Sequence, residues 1–243
     1  MRLDKYLTQA SLTRSQARAR VAQGRVCVGG AVARSAAMEV SLDDCVTLDG
    51  ARVDYRRYAY IMINKPRGVL TATRDAREKT VLDFIEPALR RRALGPVGRL
   101  DKDVSGLVLL TDDGQLAHRL ISPKWSVNKV YMARVDGALD AGHIEAMARG
   151  VPLGDFTARP AALEILRDEQ GQLARLTVTE GRFHQVKRMF AALGRPVLEL
   201  WRVSIGGVAL DEALGPGEYR ALSGAEVGAL CALTGLGGRE ESP

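Results

Sequence analysis

The sequence predicts an α+β protein in two parts: a small N-terminal α/β module over residues 1–48 and a larger mixed body over residues 59–236. Three observations predict it. Helix-spaced apolar residues give way to a Gly-Gly hairpin inside the first 48 residues. Short strand-like apolar runs then alternate with helical patterns. The formal net charge of +6 is also concentrated: residues 1–35 hold seven basic side chains and one acidic one, and the remainder is balanced. A basic module on a neutral body points to a polyanion such as nucleic acid, although a solvated basic helix face explains a charge cluster equally well.

Residues 2–10 and 13–23 read as two short helices. Leu3, Tyr6 and Leu7 recur at helical spacing, and Thr13 with Gln16 has the pattern of a capping box. Gly24 stops the second helix, and Arg25–Val28 and Ala31–Val32 flank a Gly29-Gly30 turn. Arg14, Arg18 and Arg25 fall near one face. Residues 49–58 are expected to be a linker. A strand over 59–63 ends at Asn64-Lys65-Pro66-Arg67-Gly68, where proline keeps Lys65 extended and glycine allows a sharp turn. Residues 81–94 are expected to be partly helical. Helices are predicted near 115–121, 141–149, 184–193 and 225–234. Strands are predicted at 130–135 and along Ala174, Leu176 and Val178, with several more short strands after residue 196. Residues 237–243 are expected to be a disordered tail.

Composition excludes several classes. No apolar run approaches the roughly 20 residues of a membrane span. The start of the chain has no secretion pattern. Cys27, Cys45 and Cys231 form no disulfide framework or CxxC pair, which suits a reducing cytoplasm. His118, His143 and His184 are not spaced as metal ligands, so no metal site is expected.

The chemistry concentrates in two blocks. In Gly98-Arg99-Leu100-Asp101-Lys102-Asp103-Val104-Ser105-Gly106-Leu107 a carboxylate sits between basic residues just before an apolar strand. Such a loop can hold a reactive group rigidly and still expose it. By itself, a loop salt bridge explains Asp101 as well. Asp103 could pair with Asp101 as in a glycosidase, but it is expected to be a solvated or structural charge outside the site. In the second block, Gly181–Phe190, Val186, Met189 and Phe190 share one helical face. His184, Lys187 and Arg188 share the opposite one.

Three stretches resemble the S4 RNA-binding domain: Arg2-Leu3-Asp4-Lys5-Tyr6-Leu7, Thr13–Ala17 and Gly24–Gly30. The usual Asn-Gly of its hairpin is Gly29-Gly30 here. Pro96–Asp101 with Ser105-Gly106-Leu107, and Glu180-Gly181-Arg182-Phe183-His184-Gln185-Val186-Lys187-Arg188-Met189, resemble two signatures of the rRNA pseudouridine synthases. Asn64–Gly68 and Lys129-Val130-Tyr131 resemble two further motifs, in that family's order. The resemblance implies a catalytic domain with a long, mostly antiparallel mixed sheet flanked by helices. It implies conversion of uridine to pseudouridine without metal or organic cofactor. By resemblance Asp101 is the nucleophile, Tyr131 stacks on the base, and Lys187 is the ion partner of Asp101. Arg99 resembles the arginine that fills the space left by the flipped base. RNA contacts are expected from Arg2, Lys5, Arg14, Arg18, Arg25, Lys65, Arg67, Arg182, His184 and Arg188.

The chemistry agrees with those assignments. A base must leave its stack to be reached, at a cost on the order of a few kcal/mol. An aromatic face can return about 1–3 kcal/mol by stacking. A neighbouring cation favours the ionised carboxylate, and Lys187 can supply that charge. His184-Gln185-Val186-Lys187-Arg188-Met189-Phe190, Ser122-Pro123-Lys124, Ile205-Gly206-Gly207 and Pro216–Arg220 resemble the small-subunit branch. The expected substrate is therefore one uridine in the 5′ domain of 16S rRNA, naked or in a small-subunit assembly intermediate. The enzyme is expected to act in the cytoplasm, as a monomer with no nucleotide cofactor. The alternatives are a 23S rRNA enzyme of the same family, a non-catalytic S4-type assembly protein, or a hydrolase of ribosyl bonds using Asp101 and Asp103.

Overall fold

The structure is a computed structural model describing all residues except 11, 54, 56, 91, 169, 170 and 238–243. The expected disordered tail therefore lies almost wholly outside the described residues. The chain divides into two units, one ending at Tyr58 and the other starting at Ala59.

In the first unit, helix α1 (Leu3–Tyr6) runs into a 3-10 turn (Leu7–Ala10), and α2 spans Arg14–Ala22. The capping box forms: the Thr13 N–H donates to Gln16 Oε1 at 2.8 Å, and the Gln16 N–H donates to Thr13 Oγ1 at 3.2 Å. Strands β1 (Val26–Val28), β2 (Ala31–Val32), β3 (Val46–Leu48) and β4 (Ala51–Arg52) make a sheet in the order β2-β1-β3-β4. Gly29 and Gly30 both have positive φ, as a type I′ turn requires. Leu3, Tyr6, Leu7, Val21, Val26 and Val46 form the core.

The expected linker at 49–58 needs correction. Asp49 and Gly50 turn the chain at positive φ, Ala51–Arg52 pairs with β3, and Val53 is buried in the same core. Asp-Gly is itself a hairpin signal, but the strand it starts is only two residues long and shows no alternation.

The second unit is built on one mixed sheet. Its strands are β5 (Tyr60–Lys65), β6 (Gly95–Pro96), β7 (Ser105–Thr111), β8 (Lys129–Val135), β9 (Ala162–Asp168), β10 (Gly171–Val178), β11 (Val197–Ile205), β12 (Val208–Ala209) and β13 (Tyr219–Ala221). The order is β13-β5-β7-β11-β8-β10-β9, with β6 on β7 and β12 on β11. Among the strands of the described residues, only the β7–β11 pair is parallel. Between strands lie α3 (Pro87–Arg90), α4 (Gly114–Ile121), α5 (Ala141–Arg149) and α6 (Gln185–Ala192), and α7 (Gly224–Leu233) follows β13, so the α+β expectation holds.

Period-two alternation places Ile61, Ile63, Val108, Leu110, Tyr131, Ala133, Leu176 and Leu200 in one core, joined by Met147 of α5 and by Val186, Met189 and Phe190 of α6. Strand β7 is covered on both sides, since Leu107, Val108, Leu109 and Leu110 are all buried. Gly106 is required where β7 meets β11. It has φ +100°, and a Cβ there would overlap the Arg202 backbone. Strands β6 and β9 are not legible in the sequence: β6 has only two residues, and β9 has little alternation. Strand β11 lies where only short strands are expected, because two register shifts break its pattern.

Candidate active site

The loop between β6 and β7 carries Arg99, Asp101 and Asp103, and it is pinned from beneath. Leu100 and Val104 are buried on either side of Asp101. The Thr71 hydroxyl donates to the Leu100 carbonyl at 2.8 Å and accepts the Leu100 N–H at 3.2 Å. The Val104 N–H donates to the Asp101 carbonyl, closing a turn, and the Gly68 N–H donates to the Lys102 carbonyl at 2.7 Å. The Asp101 side chain stays 27% exposed. These bonds hold the Asp101 carboxylate in place and still leave it reachable.

Lys65 completes the support. It was expected to contact RNA, and this is corrected: it is fully buried. Its ammonium donates to the carbonyls of Val104 at 2.6 Å, Pro66 at 3.0 Å and Lys102 at 3.2 Å. Burial lowers its pKa to about 8 against the opposing pull of Asp103 and Asp101. Proline fixes the extended approach, but only the tertiary fold shows the side chain turning inward.

Helix α6 faces this loop. Lys187 Nζ is 3.7 Å from Asp101, and His184 Nε2 is 3.5 Å from it. The stronger bonds of Lys187 go elsewhere, to both Asp103 oxygens at 2.6 and 2.7 Å. Asp103 was expected to be a solvated or structural charge outside the site; it is 63% exposed and ion-paired, but it shares Lys187 with Asp101. A turn brings it level with Asp101, and the Lys187 hydrogen bond holds its carboxyl below the usual range.

The segment before α6 is organised by two buried polar side chains. Gln185 Nε2 donates to Glu180 at 2.8 Å, and Gln185 Oε1 accepts the Arg182 N–H at 2.9 Å. Glu180 also accepts the Arg159 N–H at 2.9 Å. This leaves Arg182, Phe183 and His184 facing outward. Arg188 departs from expectation: Asp155 and the Leu153 carbonyl hold its guanidinium. Arg67 and Arg99 are exposed, and Arg67 stands 3.7 Å from Glu199.

Tyr131 is 7% exposed, so little of its ring is open. Arg202, which sequence reading missed, lies opposite it on β11. This buried arginine donates to the Leu107 carbonyl at 2.9 Å and to the Tyr131 hydroxyl at 3.4 Å. One of its Nη atoms has no hydrogen-bond partner among the described residues. An arginine in an alternating strand reads as solvent-facing, so no local signal marks it.

In the first unit, Arg2, Lys5, Arg14, Arg18 and Arg25 are all exposed. The Asp4 carboxylate is fully buried and accepts from Arg2 at 3.0 and 3.1 Å and from Arg18 at 3.1 Å. Arg2 first, then Arg18, hold its pKa down at about 2 against burial. One buried anion therefore orients two outward cations. Among the described residues no group of three or more histidines, cysteines or acids gathers as a metal site, and no helix is long and apolar enough to cross a membrane.

A carboxylate held on a pinned loop beside a basic helix, in a chain with an exposed basic module, is the frame of an enzyme acting on RNA. Residues 59–192 match the RNA pseudouridylate synthase family, and residues 1–46 match the S4 domain. The chain belongs to the RNA pseudouridine synthases and is an RNA isomerase.

It is 44% identical over 231 residues to the uncharacterized RNA pseudouridine synthase YtzG of Bacillus subtilis (strain 168), covering 93% of this chain and 97% of that one. It is 42% identical to the ribosomal small subunit pseudouridine synthase A of Pasteurella multocida (strain Pm70), and 41% identical to that of Escherichia coli (strain K12). Each match covers 93% of this chain and 98% of the relative. A crystal structure of a pseudouridylate synthase superposes with TM-score 0.67 at 39% identity, over 95% of this chain and 99% of that one.

Proposed function

We propose that this enzyme isomerises one uridine in the 5′ domain of 16S rRNA. The observation that carries the reading is Asp101 on its pinned loop, within 3.7 Å of Lys187 and 3.5 Å of His184. Relatives at 41–42% identity that are named for the ribosomal small subunit support the choice of RNA.

In the reaction the C1′–N1 bond breaks, the uracil turns, and C1′ bonds to C5. C5 then gives up its proton and N1 gains one, so no atom is added or lost. Asp101 is the nucleophile. Lys187 and His184 place positive charge and a hydrogen-bond donor beside it. Tyr131, held by Arg202, receives the face of the uracil, and Arg99 is free to enter the space the base leaves. The S4 domain supplies non-specific affinity through exposed cations, which make binding salt-dependent.

Incubation with 16S transcript, with 30S particles and, in parallel, with 23S transcript, followed by carbodiimide-stop primer extension, tests the proposal. One modified site, lost in Asp101→Asn, is the expected result. Modification only of 23S rRNA would move the substrate. Free uracil would show a hydrolase, and binding without product would show an assembly protein.

A further inference from the structure

Phe183 is 75% exposed, the most exposed large apolar side chain among the described residues. One face of its ring lies on His184, with centroids 3.7 Å apart and planes 19° apart. His184 is in turn 3.5 Å from Asp101. Two successive contacts therefore connect the catalytic carboxylate to an aromatic ring whose other face is open.

The local backbone produces this exposure. His184 sits at φ +49°, ψ +27°, a left-handed conformation that costs energy in a residue with a side chain. The buried Glu180–Gln185 pair enforces the turn. It sends Phe183 outward, away from the core that Val186 and Phe190 enter. The adjacent Arg182 stands 3.9 Å from the buried Glu180 carboxylate, with its guanidinium 4.2 Å from the Phe156 ring centre, and its side chain remains 59% exposed.

We propose that Phe183 is a stacking platform for a base adjacent to the target uridine in the same RNA strand, with Arg182 meeting a backbone phosphate. The proposal rests on the reading that the enzyme acts on a uridine held at Asp101. Flipping one base deprives its neighbour of a stacking partner, and an aromatic ring can replace that partner. The His184 stack already restricts the Phe183 ring, so little further rotamer freedom is lost on binding. Because every base has a π face, the platform selects geometry rather than sequence.

The test uses the full chain and the RNA that the wild type modifies. Phe183→Ala, Phe183→Leu and Phe183→Trp are compared on that RNA and on two versions carrying an abasic site on either side of the target. Removing the ring at so exposed a position leaves folding intact, which a thermal melt checks. Phe183→Ala and Phe183→Leu are expected to raise Kd and KM by about 5- to 100-fold, with kcat within a few fold. Phe183→Trp should retain wild-type values. An abasic site at the stacked position should weaken the wild type by the same factor and leave Phe183→Ala unchanged. Wild-type affinity in Phe183→Ala, or additive losses at both neighbours, would overturn the proposal while the reaction assignment stands. A wild type that makes no pseudouridine removes both.

Discussion

Lys187 bonds both oxygens of Asp103, at 2.6 and 2.7 Å, while it stands 3.7 Å from Asp101. One ammonium lies between two carboxylates on the same loop. Asp103 is 63% exposed, and an ion pair this open contributes little to stability, no more than about 1 kcal/mol. Asp103→Asn is expected to leave the melting temperature nearly unchanged and kcat within about tenfold, because Lys187 still faces Asp101. Lys187→Met is expected to lower kcat by about 10²-fold or more, the scale of losing one preorganised charge. Single-turnover pseudouridine formation separates the two. If Asp103→Asn is as inactive as Asp101→Asn, Asp103 has a role in the chemistry itself.

Lys65→Met removes the cation that serves three carbonyls under the Asp101 loop. Leaving buried acceptors unpaired costs about 1–3 kcal/mol. The expected outcome is a lower unfolding free energy and a fall in kcat, with RNA Kd changed by less than about twofold because a buried side chain cannot contact RNA. Denaturant titration and filter binding measure both. Lost affinity with unchanged kcat would put Lys65 back at the RNA surface.

Asp4→Ala gives an outcome opposite to simple charge counting. Deleting an anion next to a basic surface raises the local positive charge, which alone tightens RNA binding. The buried Asp4 carboxylate orients Arg2 and Arg18, however, and without it both guanidiniums lose their fixed direction. Weaker binding with a shallower salt dependence, by about one or two counterions, is expected in titrations over a range of salt concentrations. Tighter binding at low salt would show that orientation does not matter.

Glu226 links acid stability to the C-terminal helix. Arg220 first, and then the Ser223 N–H and hydroxyl, lower its pKa from 4.5 to about 2 against burial. The unfolded chain binds the proton more readily, so this stabilisation is complete above pH 4.5 and is lost as the pH falls toward about 2. Glu226→Gln should be less stable than wild type at pH 7. The gap should close across that window in denaturant titrations, and a gap constant with pH would show that the carboxylate charge is not its source.

Some of this molecule is written in short stretches of its sequence. Thr13 with Gln16, Gly29-Gly30 and the Ala141–Arg149 helix follow from capping, turn and periodicity rules, which act between residues a few positions apart. The motifs around Asp101 and Gln185 are equally local, and they were enough to indicate the reaction. What joins those motifs is not local. Lys187 and Asp103 lie 84 positions apart, and Arg202 and Leu107 lie 95 apart. Their pairing depends on β7 running parallel to β11 and on α6 covering that sheet. Sequence alone therefore determined the modules, the family resemblance and the choice of Asp101 as the proposed nucleophile. The tertiary structure decided which carboxylate Lys187 bonds, that Lys65 points inward, and that Tyr131 rests on a buried arginine. The reason is physical: a charged side chain reads as exposed until packing excludes water from it, and packing is a property of the whole sheet.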